Sequence, residues 1–414
     1  MKTFWRWIRW PLAALALLVL SWLAFNGPWA DAAPKPRPQA LTPAPLQVGE
    51  PSAYALLRDK SVKVGFPTAA PLQCGTSGSD CTQVWLDQGG ALREQLKSAG
   101  DFARVCEAAT AEGVSWVEPA LKLPERNPAA VLFPDFKNIT SCFLWLRAQA
   151  VLAVLDGKDA QALQFLLRAD RSVRDELDGA QTLIGHAIAW SMARRQFQTV
   201  AALAGARPQL AVQLQELLRP LSPAALTTQR WLASESAFTQ AITRDLPRSC
   251  EYMRDVPPES RGWFDRFWCV GQLGLLPELT AQQMDAVYLQ LAERTHEGAV
   301  QGAVHRPKEV VETSAWAWRN SIGQVLLVAA QPQWGQYIDR QAEVELSRQA
   351  AELVVRMAIE KVPAAQRQAW LQAQALPPET KDRFSLKPDQ LVAKPWRDDA
   401  DAARQLTFQL PPSP

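Results

Sequence analysis

The first thirty residues constrain this chain more than any other segment. Met1 to Trp10 carry Lys2, Arg6 and Arg9 and no acid, and they lead directly into the apolar run from Pro11 to Phe25, which ends at the polar exit Asn26-Gly27-Pro28. Cationic flank, apolar run and polar exit form the pattern of a signal sequence or signal anchor. The positive-inside bias keeps the three basic residues cytoplasmic and sends everything after Asn26 across the membrane. Two outcomes stay open. Ala30-Asp31-Ala32 offers small residues suited to cleavage, and the run is shorter than the roughly 20 residues that span a bilayer. Trp5, Trp7 and Trp10 on one side, with Trp22 and Trp29 on the other, resemble two interfacial belts and favour a retained anchor through residues 11–25 of a bacterial inner membrane.

Cysteine usage agrees with export. Cys74, Cys81, Cys106, Cys142, Cys250 and Cys269 make an even set, and sequence proximity pairs them as 74 with 81, 106 with 142, and 250 with 269. No CxxC pair or neighbouring His supports zinc, so no metal is expected. Net charge excludes another class of partner. The chain holds 44 Lys+Arg and 42 Asp+Glu, and without Lys2, Arg6 and Arg9 the formal charge moves from +2 to −1. The body therefore has no bulk basic field, and nucleic acid is not expected to bind.

Apolar periodicity predicts a mainly α fold, with helical hairpins packed in one or two lobes and a few short strands near the ends of the folded body. The order along the chain is a basic flank and membrane helix over 1–28, a Pro-rich spacer over 29–51 that lifts the body off the membrane, and a helical lobe over 52–246. A Cys- and Trp-rich loop region follows over 247–279, then a second helical lobe with a C-terminal tail over 280–414. Leu144, Ala148, Val151, Leu152 and Leu155 share one helical face. Asp156-Gly157 ends that helix, and Asp159 is placed to cap the next, whose face is Leu163, Leu166, Leu167, Val173 and Leu177. Leu210 to Leu221 makes a further stripe that stops at Pro220–Pro223, with Ser222 as cap and Pro223 in the first turn. Another helix reaches about Asp245. Thr280-Ala-Gln-Gln283 has the form of a capping box, Leu346 to Met357 marks a long helix, and Pro363 opens a shorter one carrying Trp370 and Leu371. Val62–Phe66 and Leu406–Leu410 alternate as strands that pair in a small sheet.

The hairpin from Leu144 to Leu177 resembles a tetratricopeptide unit, with Gly157 and Ala162 near the turn and packing positions, although the chain does not repeat with that family's 34-residue period. The Ala- and Leu-rich stretch from Leu163 to Ile242, behind a single membrane segment, resembles uncharacterised envelope proteins of proteobacteria. That likeness is compositional and implies no activity.

Chemistry-bearing motifs are few. The histidines are His186, His296 and His305. His296-Glu297-Gly-Ala-Val300 lacks the second His of a zinc-hydrolase helix, and His186 shares a face with Trp190, Ala193 and Phe197, where a buried histidine is expected. Neither a nucleophile elbow nor a phosphate-binding Gly loop occurs, so no cofactor is expected. Trp231-Leu-Ala-Ser-Glu-Ser-Ala-Phe238 resembles the Glu-Ser motif of lytic transglycosylases. The resemblance implies that Glu235 acts as general acid on a glycosidic oxygen, but it covers eight residues and lacks that family's following motifs. Trp231, Glu235, Phe238 and Ile242 lie on one helical face, where desolvation raises a carboxyl pKa. The alternative is a packing helix whose Glu pairs with Arg230 or Arg244. Among 17 Trp, the pairs Trp263/Trp268 and Trp316/Trp318 are candidates for ligand or partner contact. The expected function is therefore a non-catalytic, membrane-anchored helical module that binds an envelope protein partner. Glycan cleavage through Glu235 and periplasmic ligand binding are the alternatives.

Overall fold

The computed structural model describes residues 2–42, 46–58, 81–124, 131, 133–246, 274–301, 319–396 and 406–412. The protein is mainly α, built of packed helical hairpins with one small antiparallel sheet. Helix α1 spans Lys2–Asn26. Four short helices follow: α2 (Ala53–Leu57), α3 (Thr82–Asp87), α4 (Gly89–Lys97) and α5 (Gly100–Ala109). The long central pieces are α6 (Phe136–Leu155), α7 (Asp159–Gly179) and α8 (Leu183–Ala206). Then come α9 (Ala211–Gln215), α10 (Pro223–Leu226), α11 (Gln229–Asp245), α12 (Pro277–Gln301), α13 (Ser321–Ile359), α14 (Arg367–Ala373) and α15 (Pro378–Lys381).

Helices α6 and α7 form the expected antiparallel hairpin, and Gly157 turns it with a φ of 70°, a left-handed conformation that costs glycine little. Asp135 caps α6 by accepting from the Lys137 amide at 3.1 Å. The cap expected at Asp159 is absent. That residue is already the first of α7, its side chain makes no cap bond, and as an acid in the first turn it favours the helix dipole instead. The single apolar face expected for α6 understates its burial. Phe143, Trp145, Leu146, Val151 and Val154 are buried on several sides, because α3, α4, α5, α7 and α8 surround the helix. Its length and apolarity would suit a membrane span, yet two thirds of the apolar window lies inside the body.

Arg147 shows how a polar group enters this core. Its guanidinium sits 5.2 Å from the Trp85 ring centroid and 5.5 Å from that of Phe143, and it donates to Thr199 Oγ1 at 2.7 Å and Thr82 Oγ1 at 3.3 Å. Ring faces and hydroxyls together replace part of the water lost on burial. Nearby, the disulfide between Cys106 and Cys142 ties α5 to α6, as the spacing suggests. Cys81 is also disulfide-bonded. Cys74, Cys250 and Cys269 lie outside the described residues.

Ser222 caps α10 as expected, accepting from the Ala225 amide at 3.0 Å, with Pro223 in the first turn. The Leu210–Leu218 stripe is broken into 3-10 and α pieces, whose terminal carbonyls at Leu217, Arg219 and Pro220 accept from the Arg174 guanidinium. Helix α13 begins well before the Leu346 stripe and runs through Pro332, a residue that in sequence reads as a stop. Helices from both sides of residue 250 contribute to one contiguous apolar cluster reaching from Leu41 to Leu410.

The capping box expected at Thr280 is not formed. Helix α12 starts at Pro277, so Thr280 lies within the first turn and its hydroxyl donates to the Leu276 carbonyl at 2.8 Å. The cap comes instead from Asp31, which accepts from the Glu278 and Leu279 amides at 3.0 and 2.9 Å. The C-terminal strand exists as β3 (Leu406–Gln409) and pairs antiparallel with β2 (Gln390–Ala393), itself paired with β1 (Phe384–Lys387). The expected partner, Val62–Phe66, lies outside the described residues.

The Pro-rich segment does not hang free. Ala30, Ala33 and Ala40 accept through their carbonyls from Arg319, Gln282 and Gln229, Arg37 donates to the Ala233 carbonyl at 2.7 Å, and Leu41 is fully buried. Apart from the 3-10 turns Pro28–Ala30 and Gln39–Leu41, proline keeps the segment from continuing as α-helix, so these carbonyls take side-chain donors from α11, α12 and Arg319.

Removing the 106–142 bridge closes off less of the unfolded chain's freedom. The double variant Cys106→Ala/Cys142→Ala is expected to lose about 2–4 kcal/mol of unfolding free energy in urea titration, relative to the parent.

Candidate functional site

The ionisable side chains most altered by their surroundings collect where α7 turns into α8 and α11 crosses the corner. The turn is tight for a definable reason. Segment Val114–Glu118 lies against it, with the Glu118 amide donating to the Gly179 carbonyl at 3.1 Å, and a Cβ on Gly179 would meet the Val117 Cα at 2.8 Å. Only glycine permits that approach.

This crossing delivers Glu118 to the N-terminus of α8, where four amides lack intrahelical acceptors. Its Oε2 accepts from the Gln181 and Thr182 amides at 2.7 and 2.9 Å, and its Oε1 accepts from the Thr182 hydroxyl at 2.6 Å. Thr182 Oγ1 in turn accepts from the Gly185 amide at 3.0 Å, so one hydroxyl serves as helix cap and as donor to the carboxylate. Gly185 is required here, since any Cβ would overlap Glu118 Oε2. Glu118 is fully buried, and its carboxyl is pushed above the usual range by desolvation despite the three hydrogen bonds that favour its ionised form.

Glu176, one turn before the end of α7, is also fully buried and takes a short hydrogen bond from the Tyr54 hydroxyl. Burial raises its pKa, the nearby Glu118 charge adds to that, and the Tyr54 bond opposes it. Tyr54 is raised by burial and then by the negative charges of Glu176 and Glu118. His186 is buried beside Trp190, ring centroids 5.8 Å apart, and Trp190 meets Trp231 edge-on at 6.2 Å. Burial and the positive Arg230 lower the His186 pKa to about 3, so the imidazole is neutral at physiological pH. The expected buried face of His186, Trp190, Ala193 and Phe197 is present.

Glu235 differs from these in being partly open. On the expected face of α11, Trp231 is fully buried, whereas Glu235, Phe238 and Ile242 are intermediate. Phe238 packs edge-on against Phe133 at 6.3 Å, and Phe133 is exposed. Burial raises the Glu235 pKa to about 7, with the Leu183 amide at the start of α8 opposing the rise. The arginines expected to pair with it are engaged elsewhere. Arg230 donates to the Asp178 carbonyl, and Arg244 forms a two-pronged pair with Glu278 at 2.7 and 3.0 Å. A carboxyl that titrates near neutrality beside an aromatic pair can donate a proton to a bound oxygen, the property a general acid needs.

Trp263, Trp268, Trp316, Trp318 and His305 lie outside the described residues, and His296 falls in α12. Among the described residues no group of three or more His, Cys, Asp and Glu is placed to hold a metal ion. Sequence reading missed Tyr54, Glu118 and Glu176. Thr182 ahead of an apolar run was a legible cap, but its carboxylate partner is 64 residues away.

No protein-family model, no curated protein and no solved structure matches this chain. The residues themselves thus carry the functional argument.

Two variants test the corner. Gly185→Ala is expected to destabilise the protein by about 2 kcal/mol, and in a double-mutant cycle with Glu118→Ala most of that loss should vanish, because the overlap vanishes with the carboxylate. For Glu235 the folded pKa lies above the unfolded one, so its favourable share of stability is complete below about pH 4.5 and is lost as pH rises through about 7. Urea titrations across that window should show the parent losing up to about 3 kcal/mol more than Glu235→Gln, which keeps the slopes of the other buried carboxyls and lacks this one.

Proposed function

We propose that the chain is a single-pass protein of the bacterial inner membrane, held through residues 11–25, whose helical body lies in the periplasm and acts by binding another envelope protein. The observation that carries the anchor is the exposure of α1. Leu15, Leu17, Leu18, Val19 and Leu20 are all exposed, Leu17 at 68%, on successive positions that cover every side of the helix. A continuous apolar shaft of that kind is stable in lipid and a liability in water. At 1.5 Å per residue the apolar run from Pro11 to Phe25 covers about 22 Å, so it meets a hydrocarbon core of about 30 Å with local thinning of the bilayer and with its flanking Trp and Arg residues at the interfaces. Lys2, Arg6 and Arg9 then remain cytoplasmic. The disulfides at Cys106–Cys142 and Cys81 support an oxidising compartment for the body.

Binding is favoured over chemistry because Glu118, Glu176, Tyr54 and His186 are sealed inside the fold, out of reach of a substrate. Crosslinked co-purification of the tagged, natively expressed chain, quantified by mass spectrometry against an unrelated anchored control, is expected to return one specific partner at near-equal abundance. A partnerless protein overturns the interaction reading.

Glu235 supports a second reading, glycan cleavage, because its carboxyl titrates near neutrality and is partly accessible beside Phe238. Under it, the purified parent releases fragments from peptidoglycan and Glu235→Gln does not. An inactive parent removes it.

A further inference from the structure

The body is stitched to α1 at the point where the helix ends. The Asn26 side chain donates to the Trp22 carbonyl at 3.0 Å and accepts the Asn320 amide at 2.7 Å. Asn320 is fully buried, adopts a φ of 61° that asparagine tolerates better than most residues, and joins two helix starts. Its Oδ1 accepts from the Leu276 amide at 2.9 Å and its Nδ2 donates to Gln283 Oε1 at 3.2 Å, both at the beginning of α12, while Asn320 itself precedes α13. Five residues beyond Asn26, Asp31 caps α12, and Arg319 donates to the Ala30 carbonyl at 2.7 Å. The end of α1 and the starts of α12 and α13 thus meet in one hydrogen-bonded knot.

From this knot we infer that the end of the body bearing Trp29, Arg319 and the first turns of α12 and α13 rests on the lipid headgroup layer; the inference depends on α1 being the membrane anchor. A body suspended on a free spacer could sit at any height above the bilayer, but one bonded to the last turn of its anchor has its nearest surface where that turn leaves the hydrocarbon. Trp29 marks the level. It is 73% exposed, its ring lies against Gly27, and its Nε1 donates to the Ala24 carbonyl at 3.1 Å, so a large amphipathic ring stands at the end of the apolar shaft, beside the exposed Phe25. The guanidinium of Arg319, on an exposed residue of the same end, is suited to headgroup phosphate.

The far end of the body is located by α13. Arg348 donates to the Leu218 carbonyl at 2.6 Å, which places α9 and the 3-10 turn after it 28 residues along α13 from Asn320, about 42 Å at 1.5 Å per residue. Val212 on α9, 63% exposed, therefore serves as a distant reference. The knot also bears on processing. Cleavage after Ala32 would remove Asn26 and Asp31, the acceptors of the buried Asn320 amide and of two part-buried amides of α12, which favours a retained N-terminal helix.

The test uses the full-length chain reconstituted in nanodiscs of phosphatidylethanolamine and phosphatidylglycerol, with a photo-crosslinking residue placed singly at Leu18, Trp29, Arg319 or Val212. Lipid adducts at 18, 29 and 319 and none at 212 are expected, together with an intact mass from native membranes that includes residues 1–32. Adducts at 18 without adducts at 29 and 319 overturn the headgroup contact and leave the anchor standing, as do adducts at 212, which would mean the body lies on its side. Absence of adducts at 18 overturns the anchor and the contact together. An intact mass beginning at Ala33 overturns retention. Probes at Trp29 and Arg319 sit on exposed residues, and the two positions serve as independent checks on each other.

Discussion

Burial of α8 is the constraint on which the other elements depend. From Ala189 to Gly205 nearly every residue is buried, because α6, α7, α11, α13 and the sheet all pack against it. A helix enclosed in this way has its side chains satisfied by apolar neighbours along its length, while the amides of its first turn have no water to bond. The Glu118–Thr182 arrangement meets that need. It supplies acceptors to the start of the most buried helix, and it does so with a residue carried in from a different part of the chain.

Burying carboxyls without a guanidinium beside them has consequences for charge. Glu118 and Glu176 both have raised pKa values, chiefly through desolvation, and the Glu118 charge adds to the cost of ionising Glu176. Amide and hydroxyl donors reduce that cost for Glu118, and Tyr54 does so for Glu176. These bonds tie α2 to α7 and the Val114–Glu118 segment to the α7–α8 corner. Glu235 is less buried than these carboxyls, and its burial is still enough to raise its pKa to about 7.

Much of the architecture was legible because helix periodicity is a local property. The α6–α7 hairpin, the Ser222 cap with Pro223, α11 to Asp245 and the stripe at Leu346–Met357 all follow from residues within a few turns of one another. At α12 expectation failed because a distant residue had taken over a local role. Thr280 heads a motif that forms caps elsewhere, yet Asp31, 247 residues from the amide it serves, occupies that place here. Leu406–Leu410 reads as a strand by its apolar alternation, and its partners β1 and β2 were not read from the sequence.

The sequence alone determined the helical class, the apolar N-terminal helix with its basic flank and the helical face on which Glu235 sits, since each depends on spacing along a single stretch of chain; it suggested the 106–142 disulfide, which the packing of α5 on α6 then made. Tertiary structure alone decided three matters. It sealed Glu118 and Glu176 inside the fold, left Glu235 half-open without an arginine partner, and bound the Pro-rich segment to α11 and α12. Burial and hydrogen-bond partnership are relations between residues far apart in the chain, and no local pattern encodes which carbonyl or amide a side chain will reach once the helices have packed.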